Sequence, residues 1–471
     1  MKKLIVALLV LFAVTGFVFA AGGTEATTTP AASETKAAET PASTGPIEVV
    51  WWHTWGGNFI PYVEKMAEEF NASQTKYHIT LQYVGNMNAL YSKLQVTEEK
   101  DLPALINSTT ETIGSFLYTD YIVPLYKIVP EQDKYILEAL YKNLVSAWGD
   151  NEGNIYAYPM GNSMSGVLFN MNIMNEIGID PYQIKSVEDF YQVIKKVAES
   201  GKLPGSKVIG FEHTIRFFNY SIPIEGYDLY DNNNGRTGVP TTSYYNTGRQ
   251  RELGDIYFKT FKAIQDEGYC YPMGASWGNE LLPAFAQQDI VMLTGTIGGY
   301  ARVENAWNEV HPNDPINATF IPWFPVTNEG RATGQPASGN GWYIVNNNNP
   351  EAQMGAWEFI KFFGTGENMG GWCAHTGYLP VSDEVYNSAA YQAFMAARPN
   401  LGLEYLMKVQ REDDGETFHP RSAVYSETSS IGINLLNKYL AGEETNLDVI
   451  FKSYEDQIND ALMMWALTNT K

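Results

Sequence analysis

Within the four positions 162–165 the chain sets the amide of Asn162 and the hydroxyls of Ser163 and Ser165. Such groups donate and accept hydrogen bonds without carrying charge, as a hydroxyl-rich small molecule requires. Pro159 withholds a ladder donor, and Gly161 permits backbone angles that other residues avoid. Two extended runs, Asn154 to Pro159 and Gly166 to Asn170, therefore meet at an irregular joint carrying those groups. An ordinary strand–loop–strand connection has the same spacing. No catalytic pattern competes with the binding reading: the chain lacks His-Glu-x-x-His, Gly-x-Ser-x-Gly and a P-loop. Its six histidines are scattered, which offers no metal-ligand spacing. A glycosidase needs two carboxylates flanking its sugar. The runs Glu412-Asp413-Asp414 and Glu443-Glu444 read more simply as solvated surface. We expect no catalytic residue, no metal and no cofactor, with a secreted carbohydrate-active enzyme as the alternative.

The elements that position these groups alternate in type. Ile47 to Trp52 reads as a buried strand, Phe59 to Asn71 as a helix, His78 to Val84 as a strand, Asn88 to Glu98 as a helix and Ala104 to Asn107 as a short strand. That alternation predicts an α/β fold with largely parallel pairing. Ligand groups in such sheets gather beyond the strand C-terminal ends, where Trp52, His53, Trp55, Ser108 and Thr109 fall. A lone His beside aromatics is more often a structural residue. Beyond the joint, Val187 to Glu199 and Arg251 to Glu267 read as helices, Lys207 to Phe211 and Ile290 to Leu293 as strands, and Asp231 to Gly238 as a polar loop. Thr294 to Gly299 precedes a helix whose first N–H groups, near Thr296, are free to meet an anion. Thr319 to Pro322 reads as a second crossing and Gly364 to Gly366 as a third, with a strand over Asn340 to Val345 between them. Three crossings imply two discontinuous lobes, 47–159 with 322–363 and 160–321 with 364–471.

At the start, Lys2 and Lys3 precede the apolar run Leu4 to Val14 and the small residues around Ala20. This is a signal peptide over 1–20, too short for a stable span. No cysteine stands at the junction to take a lipid. Residues 21–46 are Gly, Thr, Ala, Ser, Pro and Glu without apolar period, a disordered leader that is equally a spacer or a terminus with no role. The formal charge of −22 repels nucleic acid and anionic membrane surfaces, so neither is an expected partner. With 30 Tyr, 22 Phe and 11 Trp the chain can build a large core and also surfaces that stack on ligand rings. Cys270 and Cys373 stand 103 positions apart, which leaves open a disulfide or two buried thiols.

Gly153-Asn-Ile-Tyr-Ala-Tyr-Pro159 followed by Val167-Leu-Phe-Asn170 resembles the first crossover of the family 1 extracellular solute-binding proteins of ABC importers. Trp372-x-x-x-Thr376-Gly377-Tyr378-Leu379-Pro380-Val381 is similar to the glycerol-3-phosphate-binding, sugar-binding type. Trp52-His53 after the first strand, Phe70-Asn71 and Asn162-Ser163 join that resemblance, which runs as short islands through 47–445. It implies a periplasmic-binding-protein-like type II fold, two lobes about a hinge with the ligand in the cleft. It also implies a carbohydrate or polyol-phosphate ligand, delivery to ABC permease transmembrane subunits, a periplasmic or extracytoplasmic location without membrane insertion, and a monomer. The ligand-binding positions it suggests are Trp52, His53, Trp55, Glu111, Asn162, Ser163, Ser165, Thr296, Gly339, Tyr378 and Arg421. Tyr378 carries the ligand-contacting Tyr. Arg421, 21 positions before Gly442, carries the phosphate-gripping Arg, or is a packing charge. The pattern departs at Met87, at Met164 and at Ile215-Arg216, where the type has Tyr, Ser and Trp. Glu111 fits only with one residue inserted.

Overall fold

The computed structural model describes residues 45–469 apart from 151, 204, 206, 213 and 331–333. The signal peptide and nearly all of the leader lie outside the described residues. Among the described residues nine strands build two sheets. They are β1 (Ile47–His53), β2 (Tyr77–Tyr83), β3 (Leu105–Thr109), β4 (Tyr158–Pro159), β5 (Ser165–Asn170), β6 (Ile209–Gly210), β7 (Met292–Thr296), β8 (Ala318–Pro322) and β9 (Asn340–Ile344). The first sheet has the order β2-β1-β3-β9-β4 and the second β6-β7-β5-β8.

The parallel pairing expected from the alternation holds for β1 with β2 and β3, where helices provide the crossovers. It fails at the crossings. β9 runs antiparallel to β3 and β4, and β5 runs antiparallel to both β7 and β8. A chain entering a sheet from its neighbour arrives at the end where the resident strands leave, so it must run against them.

The second sheet is fully covered on both sides. Val167, Phe169, Met292 and Ile321 face one apolar cluster, and Leu168, Leu293 and Phe320 face another that also holds Trp51, Leu105 and Trp342 of the first sheet. This is the period-2 alternation of a strand between two cores. Buried residues from Met369 to Met407 join the cluster of the first sheet, although their stretch follows the third crossing. The spacing of the C-terminal helix Leu447–Asn469 predicts a core-facing stripe of Leu447, Ile450, Phe451, Tyr454, Ile458, Leu462 and Trp465; the first six are buried and Trp465 is half-buried.

The helix Thr214–Ile224, with Pro223 in its last turn, lies where no element is expected from the sequence. Two local expectations need correction. The polar loop at Asp231 closes as the short helix Asp231–Gly235, with Asn232, Asn233 and Asn234 at positive φ, a conformation Asn tolerates better than most residues. The second crossing follows Pro322 rather than occupying 319–322, which form β8. Cys270 and Cys373 are both free and buried, with burial pushing both thiols above their ordinary range.

Candidate functional site

Where the crossing segments run side by side, main chain and side chains interlock. Asn162 exchanges both backbone hydrogen bonds with Leu379, its amide donates to Gln410 Oε1 at 2.6 Å, and its carbonyl oxygen accepts from Ser338 N at 3.2 Å. Ser163 N donates to Ser338 O at 2.8 Å, and Ser338 Oγ donates to Ser163 O at 2.7 Å. Trp372 Nε1 donates to Met160 O at 2.8 Å. Asn162 is thus wholly occupied in binding the three crossing segments to one another.

Ser163 turns its hydroxyl toward Tyr378. Burial raises the Tyr378 phenol, and hydrogen bonds with Asn340 and Ser163 oppose that rise. The ring lies against Trp55, with centroids 6.4 Å apart, and Trp55 in turn meets Trp372 at 4.8 Å. Gly298 allows this placement, because a Cβ there would overlap the Tyr378 ring and crowd Ser163 Oγ. Gly339 has φ +127° and its Cβ position lies 3.2 Å from Ser163 Cβ, while its carbonyl accepts from Thr110 N at 3.1 Å. Only glycine fits that backbone without strain. Ser165 pairs with Thr296 across β5 and β7, and its hydroxyl is buried without a partner.

Glu111 lies in the short turn after β3, buried at 5 % exposure, and faces the helix Thr214–Ile224. Its Oε1 stands 3.4 Å from Arg216 Nη2 and 3.5 Å from the Tyr220 hydroxyl. Burial opposes ionisation of Glu111, but Arg216 and then His419 outweigh it and hold the carboxyl below the usual range. For Arg216, burial is outweighed by Tyr220, Glu111 and Glu212, so its charge is held firmly. Arg216 Nε is buried without a partner. His419 stacks edge-on to Tyr220 at 5.1 Å and to Tyr425 at 5.4 Å, with burial pushing its pKa down. The junction of the two sheets therefore holds one ion pair, several neutral hydroxyls and amides, and aromatic walls.

The predicted positions divide accordingly. Trp55, Ser163, Ser165, Thr296, Gly339 and Tyr378 gather on one side of the junction, and Glu111 on the other, linked through Arg216, whose charge also acts on Tyr378. Trp52 and His53 sit behind them. Lys93 Nζ lies 3.9 Å over the Trp52 ring, and His53, its pKa lowered by burial, packs on Trp51 and Tyr83. Arg421 points elsewhere. Its Nη2 donates to the carbonyls of Ser146 and Ala147, both at 3.1 Å, and of Gly149. It lines a crevice with Tyr118, Tyr156 and Arg236 rather than the junction. Arg216, Tyr220, Asn340 and His419 are additions that spacing did not single out. The signal for Arg216 was a cation placed where the resembled type has an aromatic; the other three had none.

A profile of the bacterial extracellular solute-binding proteins matches residues 65–399. The chain belongs to that family. The solute-binding protein is 22 % identical over 360 residues to the sn-glycerol-3-phosphate-binding periplasmic protein of Shigella flexneri, covering 74 % of this chain and 78 % of the relative. Among solved structures it is similar to the GacH receptor of Streptomyces glaucescens, studied unliganded and with acarbose (TM-score 0.68, 15 % identity, 89 % and 99 % covered). It is likewise similar to a solute-binding protein of Agrobacterium radiobacter in complex with ribitol (TM-score 0.68, 17 % identity, 88 % and 98 % covered). These neighbours share the two-lobe α/β type II architecture. Membership makes the chain a binding protein of an ABC transporter rather than an enzyme. Among the described residues no helix is long and apolar enough to cross a membrane.

Proposed function

We propose that the protein captures a neutral sugar or polyol between its two lobes and presents it, as a monomer outside the cytoplasm, to the transmembrane subunits of an ABC permease. Delivery outside the cytoplasm rests on the signal-peptide pattern and on the periplasmic relatives. The observation that carries the ligand class is the charge balance of the junction. Arg216 faces both Glu111 and Glu212, and Arg421 is held on main-chain carbonyls. A phosphate ester would therefore meet no unopposed cation. Hydroxyls, by contrast, find both acceptors and donors there: the Glu111 carboxylate, Arg216 Nε, Ser163, Ser165, Asn340 and the Tyr378 phenol, with Trp55 and Tyr378 as apolar walls. Relatives named for binding glycerol-3-phosphate, acarbose and ribitol all take polyhydroxylated compounds.

In this reading 47–159 with 322–363 form one lobe and 160–321 with 364–471 the other. The strands of each sheet come from those segments. Closure brings Glu111 to Arg216, and the interlocked crossings at Asn162, Ser338 and Leu379 act as the hinge. A thermal-shift screen of monosaccharides, oligosaccharides, polyols and their phosphates tests the reading. A ligand at one hundred times its dissociation constant stabilises the fold by about 2.7 kcal/mol. The account expects a neutral compound to give the largest shift. A screen in which only phosphate esters shift the midpoint contradicts it.

A further inference from the structure

The strand β2 forms one edge of the first sheet. Its Lys76 O accepts from Ile47 N of β1 at 2.8 Å, and Val84 N just past its end donates to His53 O at 2.9 Å. Main-chain groups alternate in direction along a strand, so Tyr77, Ile79, Leu81 and Tyr83 turn theirs away from β1. An outward row of this kind is a template for pairing with another chain. The sequence Tyr-His-Ile-Thr-Leu-Gln-Tyr sharpens the hazard: it is β-prone and has no Asp, Glu, Lys, Arg, Pro or Gly, the composition of segments that stack on their own kind. Two side chains occupy the first half of the row. Gln74 Oε1 accepts from Tyr77 N at 2.8 Å, and Gln74 Nε2 donates to Tyr77 O at 2.7 Å. Asn71 Oδ1 accepts from Ile79 N at 2.7 Å, and Asn71 Nδ2 donates to Ile79 O at 3.0 Å. Each primary amide answers both groups of one residue, as a peptide unit of a neighbouring strand does.

We infer that β2 is a latent pairing surface for a second copy of this chain, and that Asn71 and Gln74 act as a surrogate strand that keeps it shut. The inference rests on the monomer of the proposed function, which the two amides maintain. The partner is a second copy because β2 matches its own reverse. Antiparallel pairing about a two-fold axis at Thr80 sets Tyr77 opposite Tyr83, His78 opposite Gln82 and Ile79 opposite Leu81. In that register the outward groups of Tyr77 meet those of Tyr83, and the outward groups of Ile79 meet those of Leu81, so the sheet runs on from one copy into the next. Tyr83, 54 % exposed, stands at the half of the edge that the two amides do not reach. The seal also gives Phe70-Asn71 a role that ligand binding does not supply: Phe70 anchors the helix Ile60–Ser73 in the core, and Asn71 turns from it to the strand.

Light scattering of the purified full chain after size-exclusion chromatography, over a range of concentrations, tests the inference. The wild type should keep the mass of one copy. The double variant Asn71→Ala, Gln74→Ala should give a mass that rises with concentration toward two copies, while a cooperative thermal transition shows that it is folded. Adding Thr80→Lys to the double variant should restore the single-copy mass, because it sets like charges directly opposite each other on the two-fold axis. Where the double variant fails to fold, Gln74→Ala alone frees the Tyr77 groups and should associate in the same way at higher concentration. A folded variant that stays single at every concentration overturns the seal and leaves the monomer reading intact. Association that persists with Thr80→Lys overturns pairing through β2. A wild type that already forms pairs overturns both the seal and the monomer reading.

Discussion

Arg236 and Arg421 donate to the same acceptor, the main-chain carbonyl oxygen of Ser146. That oxygen lies in the last turn of the helix Lys142–Trp148, where carbonyls lack intrahelical partners and the helix dipole is negative. Two guanidiniums thus share one helix end, and Arg236 also lies 3.6 Å over the Phe418 ring. Burial, and then the neighbouring Arg421, lowers the pKa of Arg236. The arrangement joins the segments after the first and third crossings to a helix that precedes the first one.

Loss of Arg421 should therefore cost stability rather than affinity. Arg421→Ala removes charge-assisted hydrogen bonds to three carbonyls, each worth about 1.5–3 kcal/mol, with some relief of repulsion at Arg236. Denaturant unfolding should show a net loss of about 2 kcal/mol or more. An unchanged unfolding midpoint contradicts this role.

Gly298→Ala should displace the Tyr378 ring, since the added methyl overlaps it. A cost of at least about tenfold in ligand affinity is expected, with overpacking destabilising the fold by about 1–3 kcal/mol. Wild-type affinity in this variant would show that Tyr378 is not held where it binds.

Much of this was legible in the sequence, and the rest was hidden for physical reasons. The joint at 159–166, the amphipathic C-terminal helix and the segments of each sheet follow from turn chemistry and periodicity. Arg216 was obscured because its helix is buried along most of its length and rich in apolar residues, so the residue reads as a lone charge in a core. Glu111 meets Arg216 only in the tertiary structure, across 105 positions of sequence. The role of Arg421 depends on the carbonyls of a helix almost three hundred positions away in sequence, which no local pattern carries. Antiparallel β5 and β9 follow from how the chain re-enters each sheet, a tertiary property.

Acid should weaken the fold well above carboxylate pKa values. Burial lowers both His53 and His419, so each is neutral when folded and gains a proton on unfolding below about pH 6.5. The sign follows: stability is full above that value and falls as pH drops toward the lowered folded pKa. Glu111, also lowered, adds its loss only below about pH 4.3. Thermal midpoints should fall between about pH 7 and 5, and His419→Gln should flatten that slope. A flat midpoint over this range contradicts the assignment.

Asn162→Ala should unfasten the crossings. It leaves Gln410 Oε1 and Ser338 N without partners in a buried setting, at about 1–3 kcal/mol for each. Small-angle scattering of the wild type should show a smaller radius of gyration with ligand than without, and the variant should lose that contrast. An identical contrast in both proteins contradicts a hinge at Asn162.

The central claim is that the solute is held at Glu111 and Arg216 and not at Arg421. Calorimetric titration of the wild type, Glu111→Gln and Arg421→Ala with the strongest compound of the thermal-shift screen tests it most directly. Removing a hydrogen bond to a charged group costs about 1.5–3 kcal/mol, roughly tenfold to over a hundredfold in affinity. The account predicts that loss for Glu111→Gln, with Arg421→Ala within about threefold of wild type. Wild-type affinity in Glu111→Gln together with lost binding in Arg421→Ala would contradict it.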